Sequence, residues 1–74
     1  HTIEKDEAGE GYVLRVPLPF ADKTDLDVYR SRDELTLRVG PYRRNVVLPY
    51  TLHTLEIASA KFNGDILNIH FVQA

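Results

Sequence analysis

The chain has 74 residues, 43% of them hydrophobic, with no cysteine, methionine or tryptophan, which suits one small domain burying only about 60% of its unfolded surface. The lack of cysteine excludes a disulfide framework, a thiolate metal site and a thiol nucleophile, and a net charge of −2 gives no overall attraction to nucleic acid or anionic membrane. No apolar run approaches the ~18–20 residues that span a bilayer, and residue 1 begins no signal-peptide pattern. Because the chain starts at His1 and contains no methionine, it is expected to be an excised piece of a longer protein.

Taken in chain order, the sequence is governed by a period of two. Residues 2–5 read as an added edge strand. Tyr12, Leu14, Val16 and Leu18 alternate with Val13, Arg15 and Pro17; Leu26, Val28 and Arg30 alternate with Asp27 and Tyr29; Leu35, Leu37 and Val39 alternate with Thr36 and Arg38. Each set predicts a half-buried strand. Residues 43–48 end in Val46, Val47 and Leu48 and predict a strand with both faces partly covered. Residues 55–60 form a weaker strand, and Ile66, Leu67, Ile69 and Phe71 around Asn68 and His70 form a strong one.

Turn residues separate these segments: Glu10-Gly11, residues 19–25, residues 31–34, Gly40-Pro41, residues 49–54 and Asn63-Gly64-Asp65. Tyr42 is placed at the tip of a tight hairpin in which Pro41 fixes φ. Helix is confined to single turns at 22–25 or 51–54, capped by aspartate or threonine. Strands recurring every 8–12 residues or so predict an antiparallel sandwich or barrel.

Charge is uneven along the chain. Glu4, Asp6, Glu7 and Glu10 oppose only Lys5 near the start, whereas Arg30, Arg32, Arg38, Arg43 and Arg44 crowd the middle against Asp33 and Glu34. A solvated sheet face accounts for such a run, and a basic binding face is the alternative. Tyr29 and Tyr42 near these arginines raise single-strand nucleic-acid binding by stacking as a further hypothesis. The negative net charge and the missing RNP-type motif stand against it.

Catalytic chemistry finds no foothold. There is no phosphate-binding loop, and Gly9, Gly11, Gly40 and Gly64 are all placed in turns; Gly9-x-Gly11 leads into a strand, the reverse of the order a dinucleotide site needs. His53 and His70 lack a second ligand at metal spacing; His70 is expected to face away from the core, and His53 to sit in a turn. Neither Ser31 nor Ser59 lies in a nucleophile elbow. The pairs Asp25/Asp27 and Asp33/Glu34 belong to turns or strand starts, and so small a sandwich leaves no cleft that would make them an acid and base pair. The chain is therefore not read as an enzyme, and no metal or cofactor site is assigned to it.

Several motifs in order carry a family likeness. The run Gly11-Tyr12-Val13-Leu14-Arg15-Val16-Pro17-Leu18-Pro19, then Lys23, Leu26, Val28 and Leu35-Thr36-Leu37, resembles the first half of the α-crystallin domain of small heat shock proteins. Arg43-Arg44-Asn45-Val46-Val47-Leu48-Pro49 is similar to that family's arginine-led strand, and Ala60-Lys61-Phe62-Asn63-Gly64-Asp65-Ile66-Leu67 to its late hairpin. Only Gly40-Pro41-Tyr42 occupies the place where bacterial and plant members carry a long exchanged strand, and the N-terminal arm and Ile-x-Ile tail are missing. The shortened form resembles the C-terminal domain of some ArsA-type anion-transporting ATPases.

The resemblance implies an all-β antiparallel β-sandwich of six or seven strands, α-crystallin-like and immunoglobulin-like, occupying 1–74 as one domain of a larger cytoplasmic ATPase. It implies a non-catalytic protein-interaction module whose partners are the upstream ATPase domain, its dimer partner or hydrophobic client peptides, without nucleic acid or membrane insertion. ATP and magnesium belong to the parent protein and not to this segment. A free-standing small chaperone binding unfolded clients is the rival reading. The candidate interaction residues are Leu26, Val28, Arg30, Arg38, Tyr42, Arg43, Arg44, Ile69 and Phe71, with 26–30 and 66–71 expected to supply open sheet edges that accept an extended peptide.

Overall fold

A computed structural model of the chain describes residues 2–6, 11–19 and 25–73. Seven strands follow one another: β1 (Thr2–Lys5), β2 (Gly11–Pro17), β3 (Leu26–Arg30), β4 (Glu34–Val39), β5 (Tyr42–Val47), β6 (Leu55–Asn63) and β7 (Ile66–Gln73). A single 3-10 turn (Tyr50–Leu52) lies between β5 and β6. All strand pairings are antiparallel, so the fold is of the all-β, antiparallel class that the period-two pattern predicts, with seven strands in two sheets. The expected helical turn at 22–25 and Lys23 lie outside the described residues, apart from Asp25.

The chain divides into two units, His1–Pro19 with Thr54–Ala74, and Phe20–His53. The first unit holds a four-stranded sheet in the order β1-β2-β7-β6. Register places Tyr12, Leu14 and Val16 of β2 beside Phe71, Ile69 and Leu67 of β7 on one face, and of these only Tyr12 is not fully buried. Val13 departs from expectation: it points to the opposite face and is still only 5% exposed. Its cross-strand neighbours are Glu4 and His70, and His70 lies 3.8 Å from Asp6. On the same face Glu4 and Arg15, set diagonally across β1 and β2, form an ion pair of 2.5 Å.

Strand β6 runs three residues past the predicted end and contains a bulge. Ile57 faces Phe71 and Ser59 faces His70, leaving Ala58 as an extra residue. The bulge shifts the alternation by one: Leu55 and Ile57 before it, and Ala60 and Phe62 after it, share one face of the sheet. A strict period-two reading loses the strand at that point.

The second unit holds the three-stranded sheet β3-β4-β5. Leu35, Leu37 and Val39 of β4 and Val46 of β5 form its buried face, and Leu48 and Leu52 beyond β5 are buried too. The β4–β5 hairpin closes on the pair Val39 and Tyr42, so the connection is the two residues Gly40 and Pro41, and Tyr42 belongs to the strand and not to the tip. Gly40 has φ +58 and Pro41 is confined to negative φ, the combination of a II′ hairpin turn. The β6–β7 hairpin repeats the device: Asn63 pairs with Ile66, and the turn is centred on Gly64 (φ +62) and Asp65, one residue later than an Asn-Gly turn.

The helical turn predicted at 51–54 is found as Tyr50–Leu52, with Pro49 in the cap position and no side-chain cap bond. What it buries is Leu52. Gly11 also differs from its predicted turn position, because it is the first residue of β2.

Candidate protein-interaction site

Seven of the nine residues singled out from sequence lie on the three-stranded sheet, and register decides which way each points. Leu26, Val28 and Arg30 of β3 face Val39, Leu37 and Leu35, and Arg44 and Tyr42 of β5 face Leu37 and Val39. These five share the buried face and are themselves half-buried. Arg38 and Arg43 are partners on the other face, which also carries Asp27, Tyr29, Thr36, Asn45 and Val47. The arginine cluster read along the chain is thus divided between two sides of one sheet, and no single basic face gathers it.

Ile69 and Phe71 are corrected outright. Strand β7 lies between β2 and β6, so both of its backbone flanks are paired, and the two side chains are fully buried. The strong alternation here reports a buried face, and strand order places that face on a central strand. Residues 26–30, by contrast, do form an edge: β3 is the terminal strand of its sheet, and β5 is the other.

Hydrogen bonds fix which backbone groups face outward at these edges. Ser31 N–H donates to the Glu34 carbonyl at 3.0 Å and Gly40 N–H to the Asp25 carbonyl at 3.2 Å. Odd-numbered residues of β3 therefore address β4, and antiparallel alternation directs the N–H and C=O of Leu26 and Val28 away from it. Leu48 N–H donates to the Asp33 carbonyl at 2.8 Å. By the same rule even-numbered residues of β5 address β4, and Arg43, Asn45 and Val47 present their backbone to the open side.

The segment after β5 is held by side chains from elsewhere in its unit. The Arg30 guanidinium donates to the carbonyls of Leu52 at 2.6 Å and His53 at 3.2 Å. His53 Nε2 lies 2.9 Å from the Leu48 carbonyl; a carbonyl only accepts, so this nitrogen carries the proton. Arg30 is therefore a structural clamp rather than an exposed recognition charge. The clamped loop presents Tyr50, 86% exposed, with its ring 5.4 Å from that of His53. Val47 is 73% exposed and Tyr29 54%.

Val47, Asn45 and Tyr50 were not singled out from the sequence. The run Val46-Val47-Leu48 predicts both faces partly covered, whereas Val46 and Leu48 are buried and Val47 is not. The signal was present in the count: a two-residue Gly40-Pro41 connection carries the buried phase of β4 onto the even positions of β5.

The histidines stand where the sequence put them, His53 in the turn after Tyr50–Leu52 and His70 on the face opposite Ile69 and Phe71. Among the described residues no group of three or more His, Asp or Glu side chains could hold a metal ion. Among them, too, no helix is long and apolar enough to cross a membrane.

Comparison with known proteins agrees with this architecture. Residues 9–71 match the family described as the HSP20-like domain found in ArsA. A protein of Chlorobaculum tepidum named as an arsenical pump-driving ATPase is 36% identical over 63 residues, which cover 85% of this chain and 16% of that protein. An Aquifex aeolicus protein of the same kind of name is 35% identical over 54 residues, covering 73% of this chain and 14% of its own length. An uncharacterized Streptomyces coelicolor protein is 37% identical over 59 residues, 80% of this chain and 15% of that protein. The chain thus spans about one-sixth of the curated relatives it matches, and their ATPase names refer to chemistry outside the matched segment. The HSP20-like fold is not itself catalytic. The chain belongs to the family of HSP20-like domains found in ArsA.

Proposed function

We propose that this chain is a protein-interaction module of an ArsA-type, anion-transporting ATPase, working in the cytoplasm by docking on its ATPase portion, on a dimer partner or on apolar client segments. The observation that carries the reading is the β3 edge. Leu26 and Val28 direct their backbone groups away from β4, and their side chains, though on the buried side of the sheet, are only half-buried. An extended segment laid along this edge gains main-chain hydrogen bonds and covers the remaining apolar surface of alternate side chains, the two components of recognition by strand addition.

The test is amide hydrogen exchange of the 74-residue chain alone, with an ArsA-type ATPase portion, and with an apolar peptide. Protection of the Leu26 and Val28 amides by either partner is the expected outcome. Exchange at these amides that is unchanged by both partners defeats the reading. Suppression of client aggregation by the chain, without any affinity for an ATPase portion, favours the free-standing chaperone instead.

A further inference from the structure

The second edge of the three-stranded sheet has a different chemistry, and we infer that β5 is a docking edge for an acidic extended peptide whose apolar residues precede its carboxylates. This inference rests on the interaction-module reading and assigns it a second surface with a defined partner. Strand β5 reads Tyr-Arg-Arg-Asn-Val-Val and contains no acid. Its register builds rows of side chains across the sheet that stop at an open position. Asp27, Arg38 and Arg43 form one such row. Arg38 and Arg43 are directly opposed like charges, an arrangement that destabilises a sheet, and among the described residues Arg43 has no carboxylate partner. A strand added beside β5 with an acid opposite Arg43 completes the alternation of charge in that row.

The next row gives the same answer on the other face. Val28, Leu37 and Arg44 lie in register, and among the described residues Arg44 likewise has no carboxylate partner. Val46 and Val47 continue the strand, the first buried and the second 73% exposed, so the positions opposite them suit apolar side chains. Asn45 already accepts a hydrogen bond at 3.0 Å from the Thr36 hydroxyl, and a polar residue suits the place beside it. Written from its N-terminus, an antiparallel partner therefore reads apolar, apolar, polar, acidic, acidic. Its backbone meets the outward N–H and C=O groups of Arg43, Asn45 and Val47. A second copy of the chain is the poorer occupant, because pairing β5 with itself gathers two Arg43 and two Arg44 on neighbouring strands with no acid on either.

The experiment titrates the 74-residue chain with a fluorescein-labelled peptide containing Val-Ile-Thr-Glu-Glu, with its Val-Ile-Thr-Lys-Lys counterpart, and with an acidic version in which proline replaces threonine. The acidic peptide is expected to bind, to lose affinity as salt rises from about 50 to about 500 mM, and to protect the Arg43, Asn45 and Val47 amides from exchange. The double substitution Arg43→Glu with Arg44→Glu weakens binding of the acidic peptide about tenfold and transfers the preference to the lysine peptide, a gain that a misfolded variant cannot mimic. Equal binding of the proline peptide overturns the inference, as does protection at Leu26 and Val28 alone, absence of binding, or a sedimenting dimer that protects the β5 amides without peptide. If an ATPase portion protects Leu26 and Val28 while the acidic peptide does not bind, the assignment of β5 falls and the module reading survives; the converse result separates them the other way.

Discussion

At the scale of single residues, Gly11 shows how backbone approach dictates identity. A Cβ built there lies 2.1 Å from the Phe71 carbonyl oxygen and 3.2 Å from its carbonyl carbon. Both are main-chain atoms of the neighbouring strand, so neither can rotate aside. Gly11→Ala is expected to force β2 and β7 apart at their start and to cost about 1–3 kcal/mol, the range of overpacking. Urea unfolding measures this as a lowered midpoint with an unchanged slope; an unchanged midpoint contradicts the contact. Read from sequence, Gly11 belongs to a turn, because glycine's usual signature is conformational. A steric reason for the same residue exists only once Phe71, sixty positions later, is brought alongside. Arg30 is a parallel case: its charge suggested recognition, while its bonds to the Leu52 and His53 carbonyls assign it to holding a loop.

At the scale of elements, two hairpins show a requirement of the opposite kind. Gly40 has φ +58 with nothing within 4 Å of a built Cβ, so its constraint is one of backbone conformation and not of space. Gly40→Ala should therefore cost about 1–2 kcal/mol, the left-handed penalty for an L-residue, whereas D-alanine introduced there by synthesis should cost nothing or stabilise. Equal thermal midpoints for the L- and D-alanine chains would falsify this account of the turn. Most strands were legible because each has a buried face and an alternating sequence: β2, β3, β4 and β7 were all read from their pattern. The pattern of β6 is weaker because the Ala58 bulge breaks alternation without breaking pairing. Strand order was not legible at all, since the alternation of β7 is the same whether its backbone is paired on one flank or on both.

For the whole molecule, the net charge of −2 and the division of the strand arginines between two faces of a sheet leave no concentrated cationic face among the described residues. Electrostatic attachment to a phosphate backbone needs several cations on one surface and shows a steep salt dependence. Addition of a single-stranded oligonucleotide at low salt is expected to leave the amide chemical shifts of the chain unchanged; a salt-sensitive set of shifts over Arg38 and Arg43 would reverse that conclusion. By itself the sequence determined the all-β class and, to within a residue, the places of the two tight hairpins, because alternation and turn chemistry are local properties carried by the chain in order. The tertiary structure alone decided that 26–30 is an edge while 66–71 is interior, that Arg44 and not Arg43 shares the face of Leu37, and which amides are left to receive a partner. These depend on register and strand order, which arise from hydrogen bonds between residues distant in the chain and leave no trace in any one segment.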